Sequence, residues 1–559
     1  MVIFTASSYN KKKMILRVTS FLTLCFMALV ALGKADDANT LVSQRQRMYP
    51  VLKHKAFNNV LQLKVSRGDT LQEMVVEEIV VSLRGTTSIK DIESVAIYYN
   101  QKDSSDIGST STLFAKTEKV APVVRLRGNA NLIGKNCFFW LSYTLKDGAN
   151  ILNRVCGVCQ RVVTNKGNAT LIPLKNPKQL RMGVALRKHG DDNVDTYRIP
   201  GLAATNKGSL IAVYDARRGS SRDLQGDIDI GLSRSTDGGN SWEPMRIALD
   251  MGEWGGLPQK FNGVSDACVL VDTTSGSIFV AGLWMHGVLN KDGQWIKDLT
   301  QESKNWNHQW RDRGSQPGFD VKETSQFLIA RSTDDGESWE APVNLTQMCK
   351  KREWWLWCPA PGNGITMADG TLVMPTQGRD ENGGTFSNIT YSKDGGKTWK
   401  TSNPAYTNTT ECSIVQLNGG ELMLNMRDNR NSSNKGNTNG RAIATTSDMG
   451  ETWAEHPTSH GALIESVCMA SLYKYGSVLL FSNPNTKNGR HHMTIKASLD
   501  NGNSWSEEHW LLLDEGDSFG YSCITKVDED NIGILYEGSQ ADMVFQKIPI
   551  KDLLKPAAK

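Results

Sequence analysis

Between residues 40 and 180 the chain alternates short segments rich in β-branched and aromatic residues with polar turns such as Asp147-Gly148. Segments of this length and composition are typical of β-strands. The predicted strands are Val75 to Leu83, Ile92 to Tyr99, Val120 to Leu126 and Cys137 to Leu145. No cluster of candidate site residues accompanies them. Residues 36–180 are therefore predicted to form a β-sandwich that serves either substrate attachment or packing.

Beyond Arg181 a short motif, Ser/Thr-x-Asp-x-Gly-x-x-Trp, recurs along the chain. In each copy the Asp side chain can accept hydrogen bonds from turn amides, the Gly permits a positive φ, and the Trp can pack the turn against a sheet. Each copy therefore predicts a hairpin. Metal ligation by the Asp residues is the alternative, although each copy offers only one carboxylate. The five copies end at Trp242, Trp339, Trp399, Trp453 and Trp505.

The spacing of the repeats predicts how many units the chain contains. Successive Trp positions differ by 97, 60, 54 and 52 residues, so the first interval contains either a long insertion or an unmarked unit. About 360 residues at roughly 50 to 60 each give six or seven units, which fits a β-propeller of four-stranded blades. The second predicted domain is one propeller over 181–559.

The N-terminus has the order of a secretory signal peptide. Lys11-Lys12-Lys13 precedes an apolar run from Phe21 to Leu32, and the small residues of Gly33-Lys34-Ala35 follow. A membrane anchor is the alternative, but the run is shorter than the ~20 residues that a spanning helix needs. We therefore expect residues 1–35 to be cleaved, the mature chain to have no membrane span, and the protein to be secreted or periplasmic.

Composition and cysteine count narrow the function classes. The 559 residues include 63 Lys and Arg against 59 Asp and Glu, a balance that excludes a nucleic-acid-binding tail. Ten cysteines minus Cys25 of the signal leave nine, so at least one stays unpaired. Cys156-Gly157-Val158-Cys159 is either a redox or metal pair or two buried thiols. Cys349 and Cys358 bracket a Trp-rich loop and are candidates for a disulfide.

Tyr197-Arg198-Ile199-Pro200, followed by the five Asp boxes, resembles the sialidases (neuraminidases) with Asp-box repeats. The resemblance covers about 185–550 and is strongest to secreted bacterial exo-α-sialidases of the Bacteroides type. It implies an all-β fold in which a carbohydrate-binding-like β-sandwich precedes a six-bladed β-propeller. It also implies hydrolysis of terminal α-linked sialic acids from glycoproteins, glycolipids and oligosaccharides, with retention through a tyrosyl-enzyme intermediate. No metal or organic cofactor is implied.

A sialic acid carries its carboxylate on the anomeric carbon, so its enzyme needs fixed positive charge. The planar fork of arginine can hold a carboxylate bidentately and does not lose its proton. Arg198, Arg427 and Arg490 match the arginine triad of the family in order and context. Glu537 matches the acid that orients the first arginine.

The resemblance also assigns the reacting groups. A carboxylate nucleophile would be repelled by the carboxylate of the substrate, whereas a neutral phenol approaches freely if a base removes its proton. Tyr521 matches this nucleophile and Glu411 its base. Asp223, on a loop that is mobile in the family, matches the acid/base. Asp227 and Asp229 are its alternatives within the same acidic cluster.

The remaining matches concern recognition of the sugar. Arg217 resembles the arginine that contacts ring substituents, although Arg218 directly follows it, and Asp266 resembles the residue that reads the acyl-amino side. The site also needs apolar side chains that receive the N-acetyl methyl group and shape the aglycone entrance. The apolar candidates for these contacts are alternatively packing residues. The candidates are Trp284, Met285, Trp354, Trp355 and Trp357.

Two other function classes share most of these residues. A trans-sialidase or an enzyme that forms an anhydro product would keep the same core and differ around the acceptor. A sialic-acid-binding lectin on a propeller would lose the nucleophile, its base or the acid, and all three are present here. The expected partners are sialylated glycans and not nucleic acids.

Overall fold

The computed structural model describes residues 36–68, 73–102, 110–224, 226–285, 288–289, 307–308, 315–321 and 324–554. The predicted signal peptide lies outside these residues. Apart from one four-residue α-helix, α1 (Thr346–Cys349), and short 3-10 turns, the regular structure of these described residues is β. The all-β prediction is confirmed.

Eleven strands precede the propeller. They are β1 (Asp36–Arg45), β2 (Val51–Lys53), β3 (Asn59–Arg67), β4 (Val75–Ser82), β5 (Ile92–Asn100), β6 (Thr112–Thr117), β7 (Val123–Asn131), β8 (Asn136–Leu145), β9 (Arg154–Val155), β10 (Val158–Thr164) and β11 (Gly167–Leu171).

Nine of these strands form one sheet in the order β6-β5-β8-β3-β1-β11-β10-β4-β7. The sheet curls over its own apolar core, so that its two edge strands meet. A Cβ at Gly128 of β7 would collide with the backbone of Phe114 in β6. β7 begins at Val123, three residues later than predicted, because Pro122 has no N–H to donate to a neighbouring strand.

Twenty-nine described strands follow. They are β12 (Leu180–Arg187), β13 (Thr196–Ala204), β14 (Leu210–Arg217), β15 (Ile228–Ser235), β16 (Arg246–Leu249), β17 (Val264–Val271), β18 (Ile278–Trp284), β19 (Val288–Leu289), β20 (Asn307–His308), β21 (Gln326–Ser332), β22 (Val343–Asn344), β23 (Leu356–Pro359), β24 (Gly362–Asn363), β25 (Ile365–Thr366), β26 (Leu372–Arg379), β27 (Thr385–Ser392), β28 (Lys400–Thr401), β29 (Tyr406–Thr407), β30 (Thr409–Gln416), β31 (Leu422–Asp428), β32 (Ala442–Thr446), β33 (Ala454–Glu455), β34 (Ser471–Tyr475), β35 (Val478–Pro484), β36 (Met493–Ser498), β37 (Trp510–Asp514), β38 (Ser522–Lys526), β39 (Asn531–Tyr536) and β40 (Met543–Pro549).

These strands form the six blades of a propeller, which confirms the predicted fold. From the inner to the outer strand, blade 1 is β13 to β16 and blade 2 is β17, β18, β21 and β22. Blade 3 has an inner edge divided into β23 and β25, followed by β26, β27 and β28, and the short β24 between β23 and β25 pairs in parallel with β17 of blade 2. Blades 4 and 5 are β30 to β33 and β34 to β37. Blade 6 is β38, β39, β40 and, as its outer strand, β12.

The five repeats form the turns between the third and outer strands of blades 1 to 5, as predicted. In blade 2, Ser332 Oγ accepts a hydrogen bond from Gly336 N at 2.9 Å, and Asp334 Oδ1 accepts one from Ser338 N at 2.9 Å. Blade 6 cannot contain the repeat, because its outer strand comes from the other end of the propeller sequence. The 97-residue interval lies between consecutive blades and contains a long connection from β18 to β21.

The N-terminal domain contacts blade 6, the Asp-box turn of blade 1 and the segment that follows β40. Strand β2 pairs in parallel with β12 and so extends the blade outwards. Lys53 Nζ donates a hydrogen bond to Asn240 O at 2.6 Å. Arg154 and Arg181 both bind Asp552, at 2.8 and 2.7 Å.

All nine cysteines within the described residues are free and buried. The candidate disulfide between Cys349 and Cys358 is therefore not formed. Burial raises the pKa of the thiols of Cys156 and Cys159, the latter to about 12, which agrees with the buried-thiol interpretation of this pair. Within the same residues there is no helix with the length and apolar character that crossing a membrane requires, and no cluster of His, Cys, Asp or Glu suited to a metal ion.

Candidate active site

The predicted site residues come together at one face of the propeller, around the start of the inner strands. Neighbouring strands of a blade run antiparallel, so the start of the first strand and the end of the second lie at the same face. All nine residues occupy such positions or the loops beside them. They are Arg198, Arg217, Asp223, Asp266, Glu411, Arg427, Arg490, Tyr521 and Glu537.

Irregularities in strand pairing set the side-chain directions of three of these residues. The register between inner and second strands shifts between Arg198 and Gly201 in blade 1, between Ser265 and Cys268 in blade 2, and between Thr409 and Cys412 in blade 4. Such bulges re-aim side chains that a regular ladder would turn elsewhere. Arg198, Asp266 and Glu411 lie at or inside these shifts. Ile199 and Asp266 have φ of 62° and 60°, rare for residues with a Cβ, so the surrounding fold holds them in place.

Arg198 is held through its Nε atom by Glu537, at 2.6 Å. The same carboxylate accepts hydrogen bonds from the backbone N–H groups of Ile199 and Tyr521, both at 2.9 Å. Although burial lowers the pKa of the Arg198 guanidinium, the charge of Glu537 outweighs this and raises it above its ordinary value. Arg198 is therefore permanently charged. Glu537 ties it to the segment that carries Tyr521.

Tyr521, Glu411 and Arg427 form a connected triplet at the centre of the site. The Tyr521 hydroxyl donates a short hydrogen bond to Glu411 Oε1. Arg427 Nη1 binds Glu411 Oε2 at 2.5 Å and donates to the Tyr521 oxygen at 3.1 Å. Burial, together with the Glu411 charge, raises the pKa of Tyr521 well above its usual value. The resting phenol is therefore neutral, and its proton already points at a base.

Arg490 reaches the site from the connection between β35 and β36. Its Nη1 and Nη2 atoms donate to the backbone carbonyls of Phe519 and Val467, both at 2.9 Å. Its Cζ lies 5.5 Å from the centre of the Tyr521 ring. The three predicted triad arginines thus surround one tyrosine.

Arg217 and Asp223 face each other in blade 1, where Arg217 lies on β14, the strand next to the one that carries Arg198. The Arg217 side chain is buried, forms an ion pair with Asp223, and donates to Ser221 O at 2.7 Å. Asp215, two residues before Arg217 on β14, binds the same guanidinium at 2.9 Å and accepts from Asp266 N at 3.1 Å. Burial raises the pKa of Asp215 to about 7 and raises that of Asp266 well above its usual range.

The structure separates the alternatives that the sequence left open. Arg218 turns away from Arg217 and binds Asp229 through Nε and Nη2, at 2.8 and 2.6 Å. Asp227 contacts Arg218 at 3.9 Å. The two alternative acids thus belong to the base of the loop, whereas Asp223 faces the arginines of the site, with its side chain 52% exposed.

The apolar candidates are mostly packing residues. Trp284 is buried and donates to Asn262 Oδ1 at 2.8 Å, and Met285 lies beneath Leu224. Trp354 packs on Phe386 and Trp357 on Phe327. Within this group Trp355 alone is partly exposed.

Several residues at the site were not predicted. The sequence could have indicated Asp215, because an acid two residues before Arg217 in a strand lies on the same side of that strand. It held no such indication of Phe519, whose ring covers Arg198, or of Leu224, which follows Asp223 and packs into an apolar cluster. Behind the site, Arg441 and Glu465 form a fully buried ion pair at 2.7 Å. Glu465 also accepts a hydrogen bond from Asp428 N, next to Arg427.

Known proteins resemble this chain over both of its domains. A family model described as "BNR repeat-like domain" matches residues 208–535, and one described as "N-terminal domain of BNR-repeat neuraminidase" matches residues 39–168. A sialidase of Bacteroides fragilis is 40% identical over 96% of this chain and 99% of its own length. A sialidase of Paraclostridium sordellii is 29% identical over 62% of this chain and 82% of its own length. The solved structure of a Hadza microbial sialidase superposes with a TM-score of 0.81 at 36% identity and covers 91% of this chain and 100% of that chain.

Proposed function

Because this chain belongs to the BNR-repeat sialidases, and is therefore a glycoside hydrolase that acts on sialylated glycans, we propose that it is a retaining exo-α-sialidase with Tyr521 as its nucleophile. The observation that carries this proposal is the hydrogen bond from the buried Tyr521 hydroxyl to Glu411. A buried, neutral phenol with a carboxylate on its proton is the arrangement that an activated nucleophile requires.

Substrate binding begins with the carboxylate on the anomeric carbon. Arg198, Arg427 and Arg490 surround the Tyr521 ring, and partners within the protein fix each of them. Charge-assisted hydrogen bonds from such arginines would place the anomeric carbon over the phenol oxygen. Arg217 and Asp266 would then meet the ring substituents.

The first chemical step forms the bond between Tyr521 and the sugar. The phenol oxygen attacks the anomeric carbon while Glu411 accepts the phenol proton. Asp223, which must leave its ion pair with Arg217 and take up a proton from solvent first, donates that proton to the glycosidic oxygen as the bond to the leaving group breaks. Arg427 Nη1 contacts both Glu411 and the Tyr521 oxygen, so it can stabilise the negative charge that moves between them.

The second step releases the sugar. Asp223, now a carboxylate, takes a proton from the water that attacks the anomeric carbon. The bond to Tyr521 breaks, and the proton held by Glu411 returns to the phenolate. Two inversions at the same carbon give overall retention.

We further propose that the enzyme is exported and acts on terminal sialic acids of glycoproteins, glycolipids or oligosaccharides. Support for export comes from the basic, apolar and small-residue order within residues 1–35. Cell fractionation and N-terminal sequencing of the mature protein test this. Cytoplasmic protein that keeps residues 1–35 would contradict it.

Incubation with sialyllactose, followed by NMR from the first minutes, tests the reaction. The proposal predicts that the α-anomer of free sialic acid appears first and then mutarotates. First appearance of the β-anomer, an anhydro sugar, or transfer to added isotope-labelled lactose would each refute retaining hydrolysis. Binding without any product would favour a lectin.

A further inference from the structure

Phe519 is an exposed aromatic residue inside the candidate active site. It lies two residues before Tyr521, and 45% of it is accessible to solvent. Single exposed apolar residues are common on protein surfaces, so its exposure alone has no meaning. Its contacts distinguish it from the others.

The Phe519 ring lies against the guanidinium of the first triad arginine. The Cζ atom of Arg198 is 4.0 Å from the ring centre, well within the ~6 Å of a cation–π contact. Glu537 already holds Arg198 at Nε. Among the described residues, none is hydrogen-bonded to the two Nη atoms of Arg198. Glu537 thus fixes one edge of the guanidinium and Phe519 covers one face. The edge formed by the two Nη atoms is left for a ligand to bind.

The backbone beside Phe519 determines where its ring lies. Gly520 has a φ of 85°, and a Cβ there would come within 2.6 Å of Pro484 Cγ. Phe519 O accepts a hydrogen bond from Arg490 Nη1 at 2.9 Å. The same residue therefore contacts two triad arginines, Arg198 through its ring and Arg490 through its carbonyl.

We propose that Phe519 is a positioning residue that fixes the plane of the Arg198 guanidinium for the substrate carboxylate. The inference rests on the proposed function, because it takes the ligand of Arg198 to be that carboxylate. A guanidinium that rotates about its terminal bonds would lose its bidentate alignment, and binding would weaken before the chemistry changed.

The test compares Phe519→Leu, which removes the π face, with Phe519→Tyr, which keeps it. In Phe519→Leu, KM for sialyllactose and Kd for free sialic acid should rise about 2- to 30-fold, the range that cation–π contacts span, while kcat changes less. Phe519→Tyr should restore both constants. Phe57→Leu is the matched control, because Phe57 is 44% exposed and lies in the N-terminal domain. Its constants should equal those of the wild type.

A double-mutant cycle separates positioning from direct contact with the sugar. The ammonium of Arg198→Lys has no planar face to stack on, so adding Phe519→Leu to it should cost little more in Kd. Equal losses in the wild-type and Arg198→Lys backgrounds would overturn the proposal, as would an unchanged Kd in Phe519→Leu. Wild-type turnover of sialyllactose tests the proposed function separately, because the Kd comparison needs no chemistry.

Discussion

Leu224 provides a sharp test of how the structure holds Asp223, the proposed acid/base. It directly follows Asp223, has a φ of 51°, and is only 3% exposed. Its side chain packs with Leu283, Met285 and Leu356. We expect this contact to hold the half-exposed Asp223 above the site, so that Leu224→Ala releases the loop without removing any reacting group.

The magnitude follows from the buried atoms. Alanine lacks three of the side-chain carbons of leucine, worth about 2.4 kcal/mol at ~0.8 kcal/mol each, which corresponds to a roughly 50-fold smaller ratio of seated to released loop. The bond from Arg217 to Ser221 O remains and reduces this effect. For sialyllactose, kcat/KM should therefore fall by up to about 50-fold.

The assay compares leaving groups. An aryl sialoside needs little protonation, so its kcat/KM should fall less than about 3-fold in Leu224→Ala. The control is Leu417→Ala, which removes the same atoms from a buried leucine in the β30–β31 turn at the opposite face. Equal losses on both substrates, or no loss on sialyllactose, would refute the idea that Leu224 seats the acid.

The other predictions concern the nucleophile, the first arginine and a buried lysine. Tyr521→Phe should abolish most turnover but keep sialic acid binding, measured by calorimetry, because only the reacting oxygen is lost; near-normal release of sialic acid would contradict the assignment. Arg198→Lys should lower kcat/KM on a fluorogenic sialoside about 10- to 150-fold, because one ammonium replaces a charged fork; unchanged kinetics would argue against it. Burial lowers the pKa of Lys496 from 10.5 to about 7, so the folded protein binds fewer protons there than the unfolded chain between these values and gains stability from this group as pH rises. Lys496→Met should therefore raise the Tm most at or below pH 7 and least near pH 10, and a constant difference across this range would contradict the titration.

Much of the fold could be predicted because its signals are local. An Asp box needs only eight consecutive residues to form its turn, and five of them marked five blades. Blade 6 left no such mark, because β12 and β40 are joined by pairing and not by a turn. The N-terminal sheet was predicted from strand composition. Its curl depends on the close approach of β6 and β7 at Gly128, which no periodicity reveals.

The candidate site divides in the same way. The residue types, the motifs around them and the chemistry that they allow could all be predicted from the sequence. The three-dimensional fold was needed to show that Arg217 rather than Arg218 contacts Asp223, that Phe519 covers Arg198, and that Leu224 packs into an apolar cluster beside Asp223. The physical reason is distance along the chain. Arg198 and Glu537 are 339 residues apart, and their 2.6 Å contact exists only because the closing ring of blades brings both ends of the propeller to the same face.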